Sequence, residues 1–273
     1  MLALTEANYH SPAANMEYMS CSSYKNYLEC EAMALASDRG EYKRLQTPEC
    51  LVGSYIHAWN ESPAALEQFK ANTPEMFSSK GPTKGDLKAN FLFANQMISA
   101  LADDAMCSYM LEGEKEVIMT AEMFGAPWKI KIDTYKPDDS IVDLKTTRSI
   151  WELAWNDYYK CRMSFIENYQ YFTQFAIYLE VERIAQGRTN YLTPYIVAVS
   201  KEAPPDKAVI SLDDPMRLNR ELMQIAANLP RILQVKSGEV EPVHCGRCSY
   251  CRSIKKVTDI ISYRDLEAEK EAV

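Results

Sequence analysis

Apolar and polar residues recur at helical spacing through the first hundred residues, and the period then shortens to two. Residues 116–124 (EVIMTAEMF), 128–135 and 141–145 read as three successive strands. Gly125, Ala126 and Pro127 form the expected turn between the first two, and residues 136–140 form a tight connection to the third. Upstream, YKNYLECEAMALAS predicts one helix, capped by Ser22 or Ser23 and stopped near Gly40. A second helix begins near Gly53 and is interrupted around Pro63. Residues 72–85 read as a polar loop, and LKANFLFANQMISALADD as a further helix. Downstream, helices are expected over 151–161 and from 164 to about 185, a strand over 190–199, and an amphipathic helix over 213–236. A cysteine-rich knot at 245–251 and a charged tail follow. There is no internal repeat. The order predicts one mixed α/β domain over 1–273, with a helical part (1–112), a core (113–200) and a C-terminal helix with the cysteine cluster (201–273).

Composition narrows the function. The 273 residues are 47% hydrophobic, enough for a proper core, and carry 17 Tyr but only 9 Gly. No glycine-rich nucleotide loop is present. A net charge of −8 argues against coating nucleic acid by bulk electrostatics, yet leaves room for carboxylates that hold a metal. No signal peptide and no run of membrane-span length is found, so a cytoplasmic protein is expected, with no membrane partner. Its eight cysteines are then thiols or metal ligands rather than disulfides.

The chemistry concentrates in KIDTYKPDDSIVDLKTT. Strand alternation puts Asp143 and Lys145 on one side and Leu144 on the other. An odd-numbered loop, Pro137-Asp138-Asp139, would face Lys136 with Ser140 and bring Asp133 opposite Asp143. Charged residues among Ile141, Val142 and Leu144 must be paired or functional. Two carboxylates and an ammonium suit phosphodiester hydrolysis: hard oxygens hold Mg²⁺ (or Mn²⁺), which acidifies a water, while a lysine orients that water and meets developing negative charge. Lys129, Lys131, Lys136, Arg148, Lys160 and Arg162 could grip phosphates around it, and Glu122 reads as solvated or structural.

The pattern KIKID-x9-DLKTT resembles the core of the PD-(D/E)XK nuclease superfamily, in its RecB-like branch, which includes phage exonucleases of the RecE type. GSYIH at 53–57 resembles the branch's GxxxH motif and QFAIY at 174–178 its QxxxY motif. The resemblance implies a restriction-endonuclease-like core, a mixed β-sheet flanked by helices. It implies His57, Asp133, Asp143 and the main chain of Leu144 as metal ligands, Lys145 as the catalytic lysine, and Gln174 and Tyr178 on one face of a helix as further members of the site. By the same likeness the protein would be an exonuclease on linear double-stranded DNA, with a single-strand annealing partner and a homo-oligomeric assembly. A repair or CRISPR-adaptation nuclease is the alternative within the family. A metal-stapled DNA-binding or scaffolding module with a vestigial core is the alternative outside it.

Cys245, Cys248 and Cys251 form C-x2-C-x2-C, a spacing suited to a soft metal that needs a fourth ligand. In several RecB-like nucleases one N-terminal cysteine completes an iron–sulfur cluster, and Cys30 occupies that place. The x2 spacing repeated twice departs from the usual pattern, so zinc on Cys30, Cys245, Cys248 and Cys251 stays open. Cys21, Cys50, Cys107 and Cys161 read as packing residues.

Overall fold

The period-two segments pair consecutively. In the computed structural model, which describes residues 1–157 and 159–264, β1 (Glu114–Met123), β2 (Ala126–Lys136) and β3 (Ser140–Thr147) form an antiparallel meander. β4 (Ala154–Asn156) and β5 (Cys161–Met163) make a separate hairpin. β6 (Thr193–Ser200) runs parallel to β3, and β7 (Lys207–Ser211) antiparallel to β6, giving the mixed order β1-β2-β3-β6-β7.

Helices cover both faces. Before the sheet come α1 (Pro12–Glu17), α2 (Cys21–Glu29), α3 (Glu31–Asp38), α4 (Pro48–Glu61), α5 (Pro63–Asn72), α6 (Ala89–Ala102) and α7 (Ala105–Leu111). After it come α8 (Phe165–Asn168), α9 (Tyr171–Ala185), α10 (Pro215–Ser237) and α11 (Ser249–Ile254). One apolar cluster joins Ile130, Ile132, Ile141 and Ile196 to Phe175 of α9 and Ile225 of α10. The other joins Val142, Leu144, Val197 and Val199 to Ile56 of α4 and Met97 of α6. The sheet is therefore the middle of three layers, as the restriction-endonuclease-like expectation requires.

Local chemistry sets the helix ends. Thr47 caps α4 by accepting from Cys50 N–H, with Pro48 at the first helical position. Asp214 and Pro215 start α10 in the same way, and Gly238, at φ 80°, ends it.

Several expectations are corrected. Residues 24–37 are not one helix: Cys30 is extended (φ −165°, ψ 110°) and separates α2 from α3, and Ser20 rather than Ser22 or Ser23 supplies the cap. The described residues of 151–161 are not helical: they hold β4 and the start of β5. The exposed aromatic residues there mimic helical spacing without an apolar stripe to bury. Phe124 and Gly125, both at positive φ, make the β1–β2 turn, one residue earlier than expected. Cys50 and Cys161 are exposed, whereas Cys21 and Cys107 are buried. The end of the charged tail, residues 265–273, lies outside the described residues.

Candidate active site

The Pro137–Asp139 loop has the anticipated odd length, and Lys136 pairs with Ser140. Pairing of β2 with β3 continues through Tyr135–Ile141 and Thr134–Val142. Asp133 and Asp143 are the next positions in that register, and there the two strands splay. Ile132 and Tyr135 pack into the same cluster although they are three positions apart, an offset that regular alternation puts on opposite faces, so alternation on β2 breaks at Asp133 and Thr134. The N–H of Leu144, released from the ladder, donates to Asp133 Oδ2 at 2.9 Å. Further along β2 the uncovered edge is taken up by Met19, whose backbone bonds Pro127 and Lys129.

The splay opens a pocket of acids. On the α9 side, Asp143 is 2% exposed. Its Oδ1 accepts from Gln174 Nε2 at 2.6 Å, and its Oδ2 lies 2.6 Å from Lys145 Nζ. The Lys145 ammonium also sits 5.0 Å from the centre of the Tyr171 ring. On the α4 side, Gly53 lies against β3, where a Cβ would stand in ordinary contact, 3.6 Å from Thr146 Oγ1. One turn later His57 Nδ1 reaches Asp133 Oδ2 at 3.4 Å. Glu116 lies opposite Asp133 across the β1–β2 ladder and pairs with Lys131. Ligand atoms of His57, Glu116 and Asp133 all fall within 4.8 Å of one another. A cavity of about 470 Å³ opens onto these three residues and Lys131 between α4, α5 and the sheet.

Electrostatics separates the two aspartates. Burial opposes ionisation of Asp133, but the charges of His57 and Lys145 and the Leu144 N–H outweigh it and hold its pKa at about 2. Asp143 shifts upward, because burial and the charge of Asp133 together exceed the pull of Lys145. Burial works to lower His57 and Lys145, yet the carboxylates beside them raise both.

The sequence and fold have known counterparts. Residues 20–254 match the family described as a PDDEXK-like domain of unknown function (DUF3799). The chain belongs to this family. A crystal structure of a "putative exonuclease" from Eubacterium rectale is similar to this PDDEXK-like domain at 38% identity and TM-score 0.90, covering 98% of this chain and 99% of that one. A second solved structure, SSO0001, shares 16% identity over 76% of this chain and 84% of that one, at a TM-score of 0.27. No curated protein matches the chain.

Within this PDDEXK-like domain, the fold brings together His57, Asp133, Asp143, Lys145 and Gln174. Leu144 joins through its N–H, while its side chain is fully buried. Tyr178 follows Gln174 by one turn and is half-buried. Burial first, then the charges of Tyr9, Asp143, Cys21 and Asp133, push its hydroxyl well above the usual tyrosine range. It makes no hydrogen bond to either aspartate among the described residues.

Sequence reasoning missed Glu116. The signal was the hairpin itself, since a turn at 124–125 sets 116 across from 133. The proposed phosphate rim is only partly present. Lys129 is buried and donates to Tyr9 O and Asn15 Oδ1, Lys131 is held by Glu116, and Lys136 donates to Tyr109 O. Lys160 and Arg162 are exposed, as is Arg148, which pairs with Glu152. Glu122 is exposed and solvated. The four cysteines Cys30, Cys245, Cys248 and Cys251 also converge, with every Sγ within 4.8 Å of the others.

Proposed function

We propose that this PDDEXK-like domain is a metal-dependent deoxyribonuclease that degrades linear double-stranded DNA as an exonuclease. The observation that carries the reading is Asp143, fixed by Gln174 on one oxygen and set against Lys145 on the other, beside Asp133. Family membership and the likeness to the Eubacterium rectale protein support it.

The residues fit a hard dication such as Mg²⁺ or Mn²⁺. Asp143 Oδ2 is buried with the Lys145 ammonium beside it at 2.6 Å, and Glu116, Asp133 and His57 add two carboxylates and an imidazole at ligand spacing. Asp133, Asp143 and His57 would hold the ion, with Glu116 and the main chain of Leu144 beside it. Bound there, it would neutralise the scissile phosphate and acidify a water.

The rest falls to the chain itself. Gln174 fixes the rotation of the Asp143 carboxylate and leaves Oδ2 toward the site. The Leu144 N–H fixes the Asp133 carboxylate by donating to its Oδ2. Lys145 places a positive charge where a water can be oriented and where negative charge develops on the phosphate. The cavity between α4 and α5 offers the substrate a way in.

A second cavity, about 560 Å³, lies beside β4–β5, where Trp155, Arg162 and Tyr169 surround it. Tyr169 packs 5.9 Å from Tyr171, which faces Lys145, so an aromatic path joins this cavity to the catalytic lysine. That surface suits a DNA end whose bases stack on rings while its phosphates meet Arg162. By the resemblance to RecE-type enzymes, the protein would act in phage-type recombination in the cytoplasm, with an annealing partner and as a homo-oligomer. Among the described residues, no helix is long and apolar enough to cross a membrane.

The test compares linear and covalently closed circular duplex DNA with Mg²⁺, using the wild-type chain and Lys145→Ala. Loss of the linear form alone, slowed about 10²–10⁴-fold in Lys145→Ala, is expected. Equal rates for the two proteins would overturn the site assignment, and cutting of the circle would overturn the exonuclease mode.

A further inference from the structure

Four cysteines from the two ends of the described chain meet at one point. Cys30 is the extended residue between α2 and α3, where the helix break turns its side chain toward the C-terminal segment. Cys245 and Cys248 flank Gly246, whose φ of 71° lets the backbone fold around their sulfurs. Cys251 lies in the first turn of α11. The N–H of Cys248 points at Cys245 Sγ (3.3 Å) and that of Cys251 at Cys248 Sγ (3.4 Å), the donors that thiolates in such a loop accept. Ala32 and Met33 pack around the sulfurs, and Tyr42 and Tyr250 close the outside with rings 5.3 Å apart.

Spacing decides what the site can hold. Cys30 and Cys251 Sγ are 3.6 Å apart, Cys245 and Cys251 Sγ 3.9 Å, and all four lie within 4.8 Å. A disulfide would need about 2.05 Å. A tetrahedral ion with bonds of about 2.3 Å separates its sulfurs by about 3.8 Å. In a four-iron cluster each thiolate caps a different iron, and the whole cube stands between the sulfurs. Four sulfurs gathered this closely leave no room for it.

We infer that Cys30, Cys245, Cys248 and Cys251 hold a single tetrahedral zinc ion, and that the iron–sulfur cluster expected from the family resemblance does not form in this chain. On binding, the remaining thiol protons leave to solvent and four thiolates close the shell, so no position is open for catalysis. The ion joins the α2–α3 junction to α11 across 221 residues of sequence. It is a structural staple, independent of the nuclease reading.

The experiment uses the full chain, purified anaerobically without a metal-affinity tag, and measures zinc, iron and acid-labile sulfide per chain beside the visible spectrum. One zinc, no iron and no broad absorbance near 400 nm are expected. Iron at any stoichiometry, or a chain free of metal, would overturn the inference. Cys30→Ser and Cys248→Ser should lose the zinc, whereas Asp143→Asn should keep it, which separates this ion from one in the carboxylate site. Zinc retained in both serine variants would also sink the assignment. Should those variants fail to fold, an organomercurial added to the wild-type chain should release one zinc, read by a chromogenic chelator. No release from zinc-loaded protein would count against thiolate ligation.

Discussion

Gln174 owes its importance to one bond. Its amide supplies the hydrogen bond that Asp143 Oδ1 receives, and both residues are buried, so nothing in solvent can take its place. Gln174→Ala should lower nuclease activity about 10–100-fold, the usual effect of removing a group that orients a metal ligand, the role proposed for Asp143. Gln174→Glu should do more damage, because a carboxylate would face a carboxylate whose ionisation is already resisted by burial. Mg²⁺ titration of rates, with circular dichroism as a fold control, checks both variants. Rates unchanged in Gln174→Ala would remove it from the site. At this scale the sequence was readable where strand parity and helical spacing decide direction, as for Asp143, Lys145 and Gln174. Glu116 was hidden because its partner depends on a turn placed one residue away from the expected one. Lys129 was misread because parity says which side a residue faces, but not whether α1 and its flanking segment cover that side.

Elements that bury a stripe were legible, and those that do not were misplaced. α10 and the three meander strands sit close to their expected positions because each presents a continuous apolar face to the core. The β4–β5 hairpin and the segment before it bury little: Trp155 is 57% exposed and Trp151 77%. β7 went unseen because it is short and half-buried, finding its place only beside β6. Exposed rings around the cavity lined by Trp155 and Tyr169 fit the DNA-end role proposed for the hairpin. Trp155→Ala should weaken binding of duplex ends by about 1–3 kcal/mol, the worth of one stacked base. It should raise KM with little change in kcat, because the ring makes none of the contacts that fix Asp143 and Lys145. Fluorescence anisotropy with end-labelled duplex reads the first quantity and steady-state kinetics the second. A lowered kcat at constant KM would assign the hairpin a different task.

For the whole molecule, the mixed α/β class followed from the alternation of patterns and the helix-flanked sheet from the family resemblance, whereas the packing of the N-terminal segment onto β2 followed from neither, since a single bridge at Met19 leaves no periodic trace. That packing has a measurable cost. Lys129 is buried under the segment, and burial first, then the charge of Lys236, lower its pKa from 10.5 to about 8, against the pull of Asp38. Between those values the unfolded chain binds a proton that the folded chain does not, so stability should rise with pH from about 8 toward 10.5. The slope from this residue is at most about 1.4 kcal/mol per pH unit. Lys129→Met should flatten that part of the profile, as chemical denaturation across the range would show. Parallel profiles for the two proteins would mean that Lys129 keeps its proton throughout. The cysteine staple has a consequence of another kind, in time. Residues 30 and 251 are made 221 positions apart, on the order of ten to forty seconds of ribosomal synthesis. Throughout that interval Cys30 is a lone thiol awaiting partners that do not yet exist. Any oxidant that reaches it first leaves a chain that can be finished but never closed, so the yield of intact protein should follow the reducing power of the cell as closely as its supply of metal.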